Sequence, residues 1–336
     1  MRTRLPALGS VAAVAGVLAV LPFLLSGYNT FLAAEVGIFF IAVLGLNILT
    51  GYTGQISIGH GAFMAVGGYT AAILSRDHHA NLLLMLLAAF AVSFAAGLLM
   101  GLPALRLEGA YLALATFALA ISVPQFPLHW SKFLGGSLGV QASSKPTRLL
   151  GLAFPAASSI SNRWLYGLAW AAAAVLFVLA WLIIRGRVGR AFRAVRDSET
   201  AAVASGVEVG VYKTLGFGIS AAFCGVAGAL LVMASSGFAS PGQFGVVLSL
   251  ELLIGAAVAG LGSLWGVLVG GAFVALLPTI STSLPYLPKE HGRDVIYGVL
   301  VILVMLVMPG GFAGLLARIR SLVRGLNPRS NPVKLG

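Results

Sequence analysis

Residues 295–309 read VIYGVLVILVMLVMP, fifteen positions with no charge and no apolar–polar alternation. A membrane β-barrel is assembled from segments of about 10 residues in which lipid-facing and lumen-facing side chains alternate, so this stretch argues against one. An unbroken apolar run is what a helix surrounded by hydrocarbon requires. The rest of the chain agrees. Of 336 residues, 59% are hydrophobic and 9% charged, with a mean hydropathy of +0.99. Soluble domains carry about 25% charged residues, so a soluble globular protein is excluded.

Apolar segments recur near 5–25, 30–50, 55–74, 82–102, 109–127, 164–184, 214–236, 247–261, 264–279 and 294–311. They predict an all-α, polytopic membrane protein of about ten transmembrane or re-entrant helices. The first segment follows Arg2 and Arg4 but is longer than a signal-peptide core and lacks a clear A-x-A cleavage site, so it reads as a retained helix. Segments 247–261 and 264–279 read as two short spans turning at Gly260-Leu261-Gly262-Ser263. One long helix there would leave an odd number of crossings and put the basic ends on opposite sides. With ten crossings, Arg2, Arg4, Arg106, the group from Arg185 to Lys213 and the tail from Arg318 to Lys334 share one side. Arg76, Lys132, Lys145, Arg148, Arg163, Lys289 and Arg293 face the other. The heavier side is cytoplasmic by the positive-inside rule, which places both termini there.

That distribution also accounts for the net charge of +12. The cations sit in short loops beside apolar spans, where they meet lipid headgroups, so no nucleic-acid partner is read from them. Cys224, the lone cysteine, has no partner for an intrachain disulfide. No His or carboxylate stands at ligand spacing to suggest a metal, and the adjacent His78 and His79 fall in an outer turn. No cofactor is expected. The chain reads as one membrane domain, 1–336, with a long outer loop at 128–163, a basic inner loop at 185–213 and an inner tail at 315–336.

The stretch Thr50–Tyr69, TGYTGQISIGHGAFMAVGGY, is unlike its surroundings. It carries six glycines with Gln55, Ser57 and His60 and no charge. Two readings stand. Small residues let helices pack tightly, with the polar side chains bonding across an interface. Alternatively, irregular backbone at membrane depth lines a solute path. Gly262, Gly266 and Gly270 form a second small-residue stripe suited to close crossing. Interruptions in both halves of the chain favour a path through the first segment, with Gly54, Gln55, Ser57, Gly59 and His60 as its candidates. Glu251, one of two acidic residues in or beside the spans with Glu35, is a further candidate, because a charge in hydrocarbon usually faces a cavity or partner. In the inner loop, Asp197 or Ser198 is placed to cap a short helix with Glu199 in its first turn, stopped near Gly206.

Several stretches are similar to the LivH/LivM family, the membrane half of bacterial ATP-driven importers of the branched-chain amino acid type. They are Gly54-Gln55-Ile56-Ser57-Ile58-Gly59-His60-Gly61-Ala62-Phe63 with Gly67-Gly68-Tyr69, Gly109–Thr116, Gly135-Gly136-Ser137-Leu138-Gly139 and Arg193–Asp197 through Gly206-Val207 to Tyr212-Lys213. Phe217, Ser220-Ala221, Gly225, Ala227–Leu230 and Pro309–Gly314 continue the series. Size and the long outer loop resemble the LivM branch. The resemblance implies a permease subunit in the bacterial inner membrane. It implies a LivH-like second permease chain, two cytoplasmic ATPase subunits and an external solute-binding protein as partners. It also implies alternating access that moves branched-chain amino acids or a similar small polar solute inward. Arg193, Arg196, Asp197, Glu199, Ala202, Gly206 and Lys213 would couple to the ATPases. Importer permeases carry an EAA---G pattern there. Here Thr200 takes the Glu position and Glu199 comes one residue early, leaving its part in the contact open. The chain has no G-x-x-x-x-G-K-[ST] phosphate loop, in keeping with a transport subunit rather than an enzyme. An ion-coupled secondary transporter or channel is the alternative.

Overall fold

The computed structural model describes residues 21–282, apart from 23, 79, 108, 144, 146, 150 and 151, together with 298, 299, 311, 312 and 314. Most of the predicted spans 5–25 and 294–311, and all of the tail 315–336, lie outside the described residues.

The long helices are α1 (Gly27–Asn47), α2 (His60–His78), α3 (Leu82–Ala104), α4 (Ala110–Ser122), α7 (Asn162–Arg185), α10 (Val209–Ala234), α11 (Val246–Ala259) and α12 (Gly266–Thr282). Two short helices, α5 (Phe126–His129) and α6 (Ser131–Leu134), extend α4 into the outer loop, while α8 (Arg187–Asp197) and α9 (Glu199–Ala204) form the basic loop. Six helical runs among the described residues are long and apolar enough to cross a membrane: Gly27–Tyr52, Leu82–Ala104, Ala110–His129, Asn162–Arg185, Val209–Ala234 and Pro241–Ala259. The eight predicted segments in this region each find a helix, with one shift. The segment foreseen at 55–74 turns helical only at His60, and residues 53–59 belong to no helix or strand. The all-α expectation is modified by four strands of two or three residues, β1 (Val140–Gln141), β2 (Thr147–Leu149), β3 (Leu152–Phe154) and β4 (Phe238–Ala239). β2 and β3 make a small hairpin, and β1 pairs antiparallel with β4, tying the outer loop to the chain beyond α10.

Helix α10 is the axis of the bundle, buried along almost its whole length against α1, α2 and α3. It can be central because glycine lets its neighbours come close. A Cβ at Gly67 of α2 would run into the backbone of Gly225, and one at Gly228 into the carbonyl of Met64. Helices α1 and α7 run parallel. Asn162 Nδ2 donates to the Gly27 carbonyl (2.8 Å) at one end, Trp170 Nε1 to that of Ala33 (3.0 Å), and Phe40 meets Phe177 further along. Helices α11 and α12 form a hairpin whose turn is made at Gly260 and Gly262, both at positive φ (87° and 80°) where other residues are strained. This is the turn the sequence predicts.

Exposed aromatic side chains mark two levels. Trp164 opens α7 and Trp181 closes it, with the Arg185 guanidinium 4.2 Å above the Trp181 ring. The two tryptophans are seventeen residues apart, about 26 Å along a helix, close to a hydrocarbon core of roughly 30 Å flanked by interfacial aromatics. Tyr28 lies at the Trp164 end, and Trp265 packs on Phe177 towards the other. The basic loop 185–213 therefore adjoins the second end, and the outer loop the first.

Steric intolerance at the α2–α10 crossing is testable. Gly67→Leu should destabilise the protein by about 1–3 kcal/mol, seen as a lower melting temperature in detergent, as overpacking against backbone does. Gly167→Ala, where a Cβ meets nothing within 4 Å, should be neutral or stabilising.

Candidate functional site: two chain breaks beside the basic loop

Helix α1 does not stop cleanly. After Asn47 it widens into a π-turn, Ile48–Tyr52, and then opens. Leu49 absorbs much of the disruption: its carbonyl accepts from the backbone N–H groups of Thr53 (3.2 Å) and Gln55 (3.3 Å) and from Thr53 Oγ1 (2.5 Å). Gly54 turns the chain at φ 75°. Burial then alternates along residues 55–59. Gln55, Ser57 and Gly59 point into the protein, while Gly54 and Ile56 are exposed, Ile56 at 45%. The polar side chains are covered and the isoleucine is not.

The segment and the start of α2 are held from several other helices, partly through backbone N–H groups. The Ile58 N–H donates to Thr116 Oγ1 of α4 (3.0 Å), and the Gly61 N–H to Ser249 Oγ of α11 (2.9 Å). His60, fully buried, lies between Ser57 Oγ at Nδ1 (3.0 Å) and Ser220 Oγ of α10 at Nε2 (2.6 Å). The Ser220 hydroxyl donates to the Gly45 carbonyl of α1 (2.6 Å). Its proton is thereby committed, so it accepts from His60, which fixes the neutral imidazole with hydrogen on Nε2. Ser57 then donates to Nδ1. One uncharged chain of donors joins α1, α2 and α10.

The second break meets the first. Asn47, the last residue of α1, accepts from the Gly262 N–H (2.9 Å) and donates to the Ser263 carbonyl (3.0 Å). Gly51 lies so close to Gly262 that a Cβ would strike its backbone nitrogen. Between them stands Arg196, from the C-terminal turn of α8. Its Nη1 donates to the Gly51 carbonyl (2.9 Å), its Cγ would be 2.8 Å from a Cβ on Gly54, and Nη1 would be 3.5 Å from one on Gly262. The remaining guanidinium nitrogens engage Asp197 (2.9 and 3.0 Å).

The other residues of the basic loop fall into place around this contact. Arg193 donates to the Ile184 carbonyl (3.3 Å), bracing α8 on α7. Ser198, rather than Asp197, caps α9 by accepting from the Ala201 N–H (3.3 Å), because Asp197 is still the last residue of α8. Helix α9 ends as foreseen. Gly206 takes φ 78°, and its N–H and that of Val207 bond to the Val203 and Ala202 carbonyls. Ala202 is buried, whereas Gly206 faces open space with nothing within 4 Å of a Cβ. The early glutamate has an internal use: Glu199 pairs with Lys213 Nζ at 2.6 Å, with the lysine 6% exposed. Gln55 Nε2 in turn donates to the Lys213 carbonyl (3.4 Å).

The structure thus gathers Gly54, Gln55, Ser57, Gly59 and His60 with Arg196 and Lys213 at the basic-loop end of the bundle. It does not gather Glu251. That residue is half-buried on α11, two positions and about 200° around the helix from Ser249. Asn47 and Ser249 are residues that sequence reasoning passed over, and Ser220 entered it only as part of the family pattern. The signal available was a single polar residue in an apolar span. Four buried side-chain oxygens among the described residues have no hydrogen-bond partner, and two of them, Thr50 Oγ1 and Gln55 Oε1, belong to this break.

The family described as "Branched-chain amino acid transport system / permease component" matches residues 28–308. The chain is similar to the high-affinity branched-chain amino acid transport system permease protein LivM of Escherichia coli, at 33% identity over 310 residues, 86% of this chain and 71% of that protein. LivM of Salmonella typhimurium aligns equally, at 33% over 309 residues. LivH of Escherichia coli is more distant, at 26% over 82% of this chain and 90% of its own length. No solved structure matches.

Ser220→Ala should cost about 1–3 kcal/mol, since it leaves a buried imidazole N–H without an acceptor. A melting temperature in detergent equal to that of the unsubstituted protein would refute the clasp.

Proposed function

Since the chain belongs to the family of branched-chain amino acid transport permeases, we propose that it is one of two paired permease chains in an ATP-driven importer of the bacterial inner membrane. A LivH-like chain is the second. Two cytoplasmic ATPase subunits dock on loop 185–213, and an external binding protein delivers the solute. Ten crossings with both termini cytoplasmic complete the topology, in keeping with the excess of Lys and Arg on that side. The solute is leucine, isoleucine, valine or a close relative.

The observation that carries this reading is the reach of Arg196. A motor outside the membrane has to move groups inside it, and forces travel through packed, bonded contacts with two arrangements rather than through slack ones. Arg196 belongs to the basic loop yet holds the Gly51 carbonyl and abuts both Gly54 and Gly262. A displacement of α8 and α9 therefore reaches both chain breaks through a single side chain. Gln55 Oε1 and Thr50 Oγ1, buried without partners, support a solvated path at this end with Gly54, Gln55, Ser57, Gly59 and His60 around it. Glu199 and Lys213 keep α9 fixed to the base of α10, so the loop moves as a body. Gly206 lies on the open side of α9, where a partner would seat.

Arg196→Ala, reconstituted with its partner subunits, should assemble and hydrolyse ATP while leucine uptake falls at least tenfold. Gly206→Asp should also insert normally. Because a side chain there meets nothing among the described residues, a loss of stimulated ATP hydrolysis would report on the docked partner. Unchanged uptake and unchanged hydrolysis in both variants would refute the coupling role.

A further inference from the structure

The other two unpartnered oxygens lie elsewhere. Tyr69 Oη and Gln243 Oε1 are buried and lack a partner among the described residues. Tyr69, 7% exposed, stands midway along α2, six residues before Ser75, whose hydroxyl accepts from the Ser143 N–H of the outer loop (3.2 Å), and so in the outer-loop half of the bundle. Its ring packs against Phe244 (centroids 6.3 Å apart), the residue after Gln243. The Gln243 amide nitrogen donates to Ser235 Oγ (2.5 Å). A serine hydroxyl also donates, so either orientation of the amide leaves one half of it open.

The backbone around this pair is irregular. Between α10 and α11 the chain dips inward through Ser236, the one non-glycine among the described residues at positive φ (55°), then β4 and a 3-10 turn, Pro241–Phe244. Backbone of this kind is tolerated within a membrane where protein or a water-filled cavity covers it. Gly242 is exposed with open space beside it, so the niche has a mouth on the outer-loop side. Below Tyr69, on the same face of α2 one turn away at Val66, begins an open apolar groove of about 340 Å³ walled by Phe63, Val66, Leu99, Met100, Leu119 and Val123. Val123 belongs to the 3-10 turn Val123–Gln125 that touches Pro241–Phe244, so groove and niche adjoin.

Buried polar side chains are nearly always satisfied, and exceptions call for a bound group. We propose that Tyr69 and Gln243 form a station, on the outer-loop side of the bundle, for a zwitterionic amino acid with an apolar side chain. The Tyr69 hydroxyl donates to the solute's carboxylate, and the Gln243 carbonyl accepts from its ammonium. The groove takes its hydrocarbon. None of the named wall or contact residues is charged, which suits a solute of zero net charge. This inference rests on the importer reading and names the place where the solute pauses.

The test is leucine uptake per ATP hydrolysed by the whole complex in proteoliposomes, with binding protein outside, for wild type, Tyr69→Phe and Gln243→Leu. Both variants should lower that ratio at least tenfold, because ATP turnover continues while the solute loses its hold. A purely structural role, such as holding a buried water, would lower uptake and hydrolysis together or neither, and an unchanged ratio overturns the station. Absence of leucine uptake by the wild-type complex would instead overturn the importer reading, and the ligand with it.

Discussion

Within hydrocarbon no water is available to a freed N–H or C=O, and each one left unpaired costs several kcal/mol. That constraint governs the organisation of this chain. When α1 opens at Ile48–Tyr52 it releases backbone groups at the membrane boundary, and the rest of the bundle supplies replacements. Leu49 takes two N–H donors, Thr116 takes one from Ile58, Ser249 one from Gly61, and Arg196 gives to Gly51. Asn47 pairs with both an N–H and a carbonyl of the α11–α12 turn. The break is held as firmly as a helix, but by side chains whose positions depend on several elements at once.

Glycine provides the complementary half of the arrangement. Side chains as short as Ser and Asn reach another helix's backbone only if the axes are close, and Gly51, Gly67, Gly225 and Gly228 allow that. Tight packing and a polar interior are thus one solution, not the two competing readings that the glycine-rich stretch first suggests. The open polar oxygens are the places where the solution is left incomplete, two at the basic-loop end and two towards the outer loop.

Much of this was legible in the sequence where local rules decide. Apolar length located eight helices in the described region. The Gly260–Ser263 turn and the stop at Gly206 followed from the φ angles that only glycine adopts easily. Direction was not legible. Seven residues at 53–59 are too few to show a period of two among so many glycines, so the inward facing of Gln55 and Ser57 could not be read. Ser220 and Asn47 are single polar residues whose meaning lies in partners far along the chain. Attention to charge drew Glu251 forward, yet the network actually built here is uncharged at His60, Ser57 and Ser220. Neutral groups are cheaper to bury than ions when each finds a partner. Gly206, expected at a packed contact, meets nothing among the described residues.

The clasp at His60 also sets an order on biosynthesis. His60 waits for Ser220, 160 residues later, Gly61 for Ser249, 188 residues later, and Asn47 for the Ser263 carbonyl, 216 residues later. At a ribosome adding roughly 5–20 residues per second, the opened segment spends on the order of ten seconds or more in or beside the bilayer before its acceptors exist. Nascent chains therefore have to keep residues 48–59 within an insertion machinery, or beside water, until the second half emerges.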